Sequence, residues 1–162
     1  MAKYRSLSKE ELNHLEKEFV DYLIINGFTG DDWEKMKIQT PDRADKIVDL
    51  FSDVVLEGAM RKIEYLEFRD SSRFLTFQCN KENILLVGMS LEDTSEGDFN
   101  DPKFLKKSLV NPPASLKVFS KENDYTQERE MELFKMMNGG CTPSNGEVFK
   151  TLCMLLPEKF NA

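Results

Sequence analysis

The sequence predicts an α+β protein, and three observations support this prediction. Apolar residues recur at helical spacing from the first residues to about residue 60. The period then changes, and short apolar runs at 63–68, 74–79 and 84–91 are separated by turn-forming residues. Helical spacing returns after residue 124. We therefore expect an antiparallel three- to four-stranded meander packed by N-terminal helices and a C-terminal helical hairpin.

The chain has 162 residues, which fits one domain, and no stretch is long enough to act as a linker. We expect a single domain over residues 1–162. Its parts are predicted to be N-terminal helices at 8–60, a sheet at 62–120 and a helical hairpin at 124–157.

Helix boundaries are clearly marked in the N-terminal part. Ser8 and Glu11 form the S-x-x-E pattern of a capping box, and Asn26-Gly27 is typical of a helix end. The sequence near this end is apolar at Val20, Tyr22, Leu23, Ile24 and Ile25, which predicts a helix end that is buried on most sides. The next two helices are predicted to begin at Thr29 or Asp31 and at Thr40-Pro41.

The middle of the chain is predicted to form the sheet. Residues 84–88 are apolar at every position, which favours a central strand. A short helix at 102–109 and a fourth strand at 116–119 complete this part. Residues 92–101 carry five acidic residues and no basic one, and we expect a solvated loop. The loop fails the calcium-binding EF-hand pattern because its glycine and its final glutamate are not in place.

The C-terminal part is predicted to be two helices. The first is capped by Asp124 or Thr126 and ends at the asparagine and glycines of 138–140. Ser144 and Glu147 form a second S-x-x-E pattern, which predicts the start of the last helix. Pro157 is expected to close it.

The charge balance excludes several classes of partner. The chain has 22 basic and 29 acidic residues, a net charge of −7, and no basic cluster. This argues against nucleic acid and against an anionic membrane surface. The longest apolar stretch is far below the ~20 residues of a membrane span, and no signal peptide is recognisable. Three cysteines without a C-x-x-C pair favour a reducing compartment, so we expect a cytoplasmic protein.

The residues that usually carry chemistry are sparse. His14 is the only histidine and is expected on a polar helix face, so neither a catalytic triad nor a histidine-rich metal site is predicted. Asp49, Asp53 and Glu57 are spaced four apart and favour a solvated helix face, with Arg61 placed to pair with Glu57. Phosphate-binding glycine motifs are absent from the sequence. We predict no catalytic residue, no metal site and no cofactor.

Two weaker candidates remain. Cys141 follows Gly139-Gly140 near a predicted helix start, where a thiol with a lowered pKa would be reactive; a buried packing role is the alternative. Met136 does not fit the inward stripe of its helix, and with Phe160 it marks a candidate interaction surface, since methionines adapt to irregular partners.

These observations leave two functional hypotheses. The first is a non-catalytic interaction or regulatory module. Its partner is another protein or a second copy of the chain, bound through the sheet edge or the C-terminal hairpin. The second is a small-molecule binder or enzyme whose site assembles only in the folded chain. Its acids would come from Asp31, Asp32, Asp70 or the Asp49 stripe, and its nucleophile would be Cys141.

Several segments resemble a family of small uncharacterised bacterial proteins of the Bacteroidota. The segments are Tyr4–Leu12, Glu18-Phe19, Asp31–Lys35, Asp49–Val55, Arg61–Leu66 and Gly140-Cys141. The likeness covers most of the chain. It implies a bacterial, single-domain, cytoplasmic protein, and it implies no activity, cofactor or catalytic residue.

Overall fold

A computed structural model describes residues 1–156 and divides the chain into two compact units, residues 1–61 and the residues from Lys62 onward. The boundary falls in the last turn of a long helix. The α+β class is confirmed, with four helices in the first unit and an antiparallel sheet in the second. That the whole chain behaves as a single domain stays a prediction.

Four helices form the first unit: α1 (Lys9–His14), α2 (Glu16–Ile25), α3 (Gly30–Gln39) and α4 (Pro41–Lys62). The predicted capping box is confirmed, because Ser8 Oγ accepts from the Glu11 N–H at 3.2 Å and the Glu11 carboxylate accepts from the Ser8 N–H at 3.0 Å. The predicted first helix is divided at Leu15, whose backbone leaves the helical region (φ −107°, ψ 24°).

A small apolar core holds these helices together. Its buried members are Leu23, Met36, Ala44 and Ile47, with aromatic side chains packed around them. Ser52 lies in the middle of α4 and is fully buried. Its hydroxyl donates to the Val48 carbonyl at 2.7 Å and accepts from the Leu7 N–H at 2.9 Å, so it satisfies a buried backbone donor of the N-terminal segment.

The acidic stripe of α4 does not form the solvated face that the sequence predicts. Asp53 accepts from the backbone N–H groups of Lys3 (2.9 Å) and Tyr4 (3.1 Å), and Asp49 accepts from the Ser6 hydroxyl. Glu57 pairs with Arg61 at 3.5 Å, as expected, and with Lys3 at 3.6 Å. The three acids lie on one helix face, as their spacing predicts, but this face binds the N-terminal segment.

Within residues 62–156 the chain forms a five-stranded antiparallel sheet of order β4-β3-β2-β1-β5. The strands are β1 (Tyr65–Arg69), β2 (Arg73–Cys79), β3 (Asn83–Leu91), β4 (Leu116–Asp124) and β5 (Thr142–Ser144). The helices are α5 (Pro102–Val110), α6 (Arg129–Asn138) and α7 (Glu147–Leu155). The predicted meander corresponds to β1, β2 and β3, and the short helix to α5. β3 lies between β2 and β4, as its apolar composition predicts.

The C-terminal part differs from the predicted helical hairpin. β4 continues to Asp124 and α6 begins only at Arg129, so neither Asp124 nor Thr126 is a helix cap. Ser144 belongs to β5, a strand that comes between α6 and α7 in the chain and pairs with β1. The second capping box is therefore wrong. The residue before α7 is Gly146, with a left-handed φ of +81°; a Cβ there would lie 2.6 Å from the Tyr65 ring.

One face of the sheet carries the main core of the second unit. Phe74, Val87 and Met89 pack there with Phe149 and Leu152 of α7. The acidic segment 92–101 also contributes to this core. Phe99 lies within it and is fully buried, so the expectation of a solvated loop is wrong at this residue. A short 3₁₀ turn at Thr94–Glu96, capped by the Asp93 carboxylate, precedes Phe99.

Candidate interaction groove

An open groove of about 550 Å³ runs between α1–α2 and α3 in the first unit. We call it the α2–α3 groove. Its apolar lining consists of Leu12, Phe19, Val20, Leu23, Ile24, Phe28, Trp33 and Val48. Its polar lining consists of Lys9, Asn13, Glu16, Gly30, Glu34 and Lys37. The volume lies within the roughly 300–1,000 Å³ of small-molecule and cofactor sites.

Local signals in the sequence position the two walls. Gly27 adopts a left-handed φ of +86° after α2, which turns the chain towards α3. Thr29 then begins α3 with a capping box that the sequence analysis did not identify, because the partner at the third helical position is Asp32 rather than a glutamate. Thr29 Oγ1 accepts from the Asp32 N–H at 3.1 Å, and the Asp32 carboxylate accepts from the Thr29 N–H at 2.9 Å.

Aromatic contacts fix the floor of the groove. Phe19 meets Trp33 edge to face, with ring centroids 5.1 Å apart, and lies 5.0 Å from the Phe51 ring. Such pairs contribute about 0.5–1.5 kcal/mol beyond the area they bury. Met36 is buried, whereas Trp33 is half-buried and lines the groove.

The end of α2 is exposed, contrary to the prediction that it is buried on most sides. Val20 is 45% exposed, Ile24 is 62% exposed and Ile25 is 83% exposed. Phe19, Tyr22 and Leu23 are the α2 residues that pack in the core, and Val20 and Ile24 are not among them. Val20 and Ile24 follow Phe19 and Leu23 by one position, which turns them towards the open groove. In the sequence, the apolar residues at the end of α2 cover more of the helix surface than one contact with the core can bury. This breadth was the signal that some of them would be exposed.

Charges of both signs line the rim. On the α3 wall, Lys37 pairs with Glu34 at 2.9 Å. On the α1–α2 wall, Lys9 and Glu16 have no ion-pair partner within residues 1–156. Both are exposed, and they stand seven residues apart. The groove thus combines an apolar interior with two charges that are available to a ligand.

The structure gives Cys141 no feature of an activated thiol. It is half-buried after α6, and burial raises the pKa of its thiol above the ordinary value. Burial likewise raises the pKa of Cys79, to about 11. A reactive Cys141 needs a lowered pKa, so this geometry supports the packing role. The reactivity itself stays a prediction that thiol probes would test.

The other nominated residues have local roles or stay untested. Met136 is half-buried on α6, and Phe160 lies outside the described residues, so the interaction surface that they mark stays a prediction. The Asp32 carboxylate caps α3 and the Asp70 carboxylate holds the β1–β2 turn through Ser72 and Arg73. His14 is exposed, and its Nδ1 lies 2.7 Å from the Glu10 carbonyl.

Residues 1–157 match a family of unknown function, DUF6495. The chain belongs to this family. The match covers nearly the whole sequence, including the residues that line the groove. It assigns no function to any part of the chain. No curated protein and no solved structure matches the chain. Within the described residues, no helix is both long enough and apolar enough to cross a membrane.

Proposed function

We propose that this protein is a non-catalytic interaction module whose α2–α3 groove binds an amphipathic helix of a partner protein. The observation that carries the proposal is the pair of exposed apolar side chains, Val20 and Ile24, on the wall of an aromatic-floored groove. Exposed apolar surface that borders a concave site is typical of protein-binding surfaces. The cysteine usage favours the cytoplasm as the place where this module acts, and the resemblance to a bacterial family implies a bacterial host.

The shape of the groove favours a helix over a compact ligand. Leu12 on α1 and Ile24 on α2 mark the ends of its apolar wall, and the two helices, divided at Leu15, give this wall a length of no more than about 18 Å. A partner helix of similar length would present three or four apolar side chains at i, i+3 or i+4, and i+7. Such a stripe would cover Val20 and Ile24 and contact the Trp33 ring.

The rim charges define the polar residues of the partner. Lys9 begins α1 and Glu16 begins α2, so their charges mark two separate points along the same wall. A helix with an acidic residue near Lys9 and a basic residue near Glu16 would pair with both. Exposed ion pairs contribute little affinity, but they select the direction in which the helix lies.

A display library of helical peptides would test this proposal. We expect selection on the whole protein to enrich peptides with the apolar stripe described above. Trp33 is the only tryptophan, so its fluorescence should change when these peptides bind. Ile24→Glu should weaken binding by about tenfold or more, because it places a charge in the apolar contact.

Ile25→Glu is the matched control. Ile25 is adjacent on α2 and 83% exposed but does not line the groove, so its substitution should leave binding unchanged. The proposal is wrong if no striped peptide is enriched, or if enriched peptides bind Ile24→Glu as tightly as the unmodified protein. Enrichment only of short apolar peptides without helical spacing would instead indicate a small-molecule site.

A further inference from the structure

The two edges of the sheet are protected to different degrees. β5, at one edge, has three residues and contains Pro143, both of which prevent another strand from pairing there. β4, at the other edge, has nine residues and contains no proline. Its pairing with β3 runs without a bulge from Asn83↔Asp124 to Leu91↔Leu116. β4 therefore lacks three features that usually prevent an edge strand from pairing with another strand: a short length, a proline and a bulge.

The backbone groups on the outer edge of β4 can be assigned. The Glu92 N–H donates to the Ser115 carbonyl, so Ser115 and every second residue after it direct their backbone groups towards β3. Val118, Ser120 and Glu122 therefore direct their N–H and C=O groups outward. The Leu116 N–H, which also points away from β3, is satisfied by the Pro113 carbonyl at 3.1 Å. Within residues 1–156, the outward groups of 118–122 have no hydrogen-bond partner.

The side chains of β4 favour a particular partner, which is β4 itself. In an antiparallel pair, residues of the same face lie opposite each other. A two-fold axis through Ser120 places all nine residues of one β4 against those of the other. Lys117 then lies opposite Asn123 and Phe119 lies opposite Lys121, so no like charges are directly opposed.

Neighbouring registers are less favourable. An axis at Phe119 sets Lys117 against Lys121, and an axis at Lys121 or Glu122 sets that residue against its own copy. Like charges directly opposite each other destabilise a strand pair. The register that gives the longest overlap is therefore also free of these repulsions.

We propose that a second copy of this chain pairs antiparallel along the outer edge of β4, with the two-fold axis at Ser120. Val118 then exchanges two backbone hydrogen bonds with Glu122 of the other copy, Ser120 does the same with its own copy, and Glu122 with Val118. The two sheets become continuous, and their cores lie on the same side. An edge contact buries little area, so we expect a reversible dimer with a dissociation constant in the range of about 1 μM to 1 mM.

Sedimentation velocity of the full-length protein over a wide concentration range tests this dimer. We expect the unmodified chain to dimerise reversibly. Ser120→Pro removes one outward N–H without removing a bond to β3, so it should give a monomer with an unchanged circular dichroism spectrum. A protein that stays monomeric at all concentrations, or a dimer that survives Ser120→Pro, would overturn the proposal.

A charge pair tests the register and remains informative if Ser120→Pro fails to fold. Asn123→Glu places an acid opposite Lys117 of the other copy and should tighten the dimer. Asn123→Lys should loosen it. Two symmetry-related pairs change at once, so we expect an effect of about two- to thirtyfold in each direction. Asn111→Glu and Asn111→Lys, at an exposed site outside β4, are controls for net charge and should leave the dimer unchanged.

Equal effects of the two Asn123 variants would contradict this register. Peptide binding to the α2–α3 groove is independent of this dimer. Ser120→Pro should leave the Trp33 fluorescence response intact, so failure of one proposal is distinguishable from failure of the other.

Discussion

Two buried serines show how the same hydroxyl group has opposite consequences for stability. Ser52 and Ser108 are both fully buried. The Ser52 hydroxyl both donates and accepts a hydrogen bond, whereas the Ser108 hydroxyl on α5 has no partner within the described residues. A buried hydroxyl without a partner carries a desolvation cost that no bond offsets.

Replacing Ser52 and Ser108 by alanine should therefore change the free energy of unfolding in opposite directions. Ser52→Ala leaves the Leu7 N–H buried without an acceptor and should lower the free energy of unfolding by about 1–3 kcal/mol. Ser108→Ala removes the unpaired hydroxyl and adds a better helix former, and should raise it by about 1 kcal/mol. Urea denaturation of both variants measures the difference. Two losses of similar size would show that Ser108 has a partner.

At the scale of elements, one side chain ties α6 to the sheet. The Arg129 guanidinium donates to the carbonyls of Ile63, Cys79 and Asn80, the last two at 3.1 Å. Ile63 precedes β1, Cys79 ends β2 and Asn80 follows it. The Tyr125 hydroxyl also donates to the Asn80 carbonyl, at 2.7 Å. Arg129 thus satisfies carbonyl groups at two strand ends from the first turn of α6.

Lysine cannot reproduce this arrangement, because its ammonium group lacks the planar fork of donors. Arg129→Lys should lower the free energy of unfolding by about 2–4 kcal/mol, since two charged hydrogen bonds are lost. Arg61→Lys is the control: Arg61 is exposed and makes one ion pair, so we expect a change within about 0.5 kcal/mol. Thermal or urea denaturation checks both. A loss no larger than that of Arg61→Lys would show that the carbonyls find other donors.

Element prediction succeeded where the signal was local. The Ser8 capping box, the Asn26-Gly27 helix end and the strands of the meander all depend on neighbouring residues. The helix start predicted from the second S-x-x-E pattern was wrong because Ser144 pairs with β1, which is distant in the sequence. The predicted fourth strand was too short. The second half of β4 is polar and by itself looks like the start of a helix, whereas its pairing with β3 makes it a strand as far as Asp124.

The candidate site was predictable only in part. The apolar character of the end of α2 was recognised, but the exposure of Val20 and Ile24 depends on how much apolar surface the other helices can cover. The N-terminal segment bound by the acidic stripe was missed for a similar reason. The donors to Asp53 are backbone N–H groups, which no sequence pattern marks.

At the scale of the whole molecule, the question is whether residues 1–61 and the residues from Lys62 onward unfold together. α4 ends at Lys62 and β1 begins at Tyr65, so only two residues connect them. One of the two, Ile63, is buried, and Arg129 holds its carbonyl. So short a connection favours the single domain that the sequence predicts, because domain boundaries usually lie in exposed linkers.

We therefore expect one cooperative unfolding transition. Trp33 fluorescence reports on the first unit, and hydrogen exchange of β2 and β3 amides reports on the second. Under denaturant the two probes should give the same midpoint. Midpoints that differ would contradict the single domain and would show that the two units unfold independently.

The Asp53 contact has an evolutionary consequence. Its carboxylate is bound by main-chain groups of positions 3 and 4, and every amino acid except proline supplies that donor. Selection acting on this contact therefore falls almost entirely on position 53. At this contact we expect the family to retain a short acid at position 53, whereas any change at positions 3 and 4 other than to proline keeps the donors. A turn of α4 thereby anchors the N-terminal segment without requiring matching changes in it.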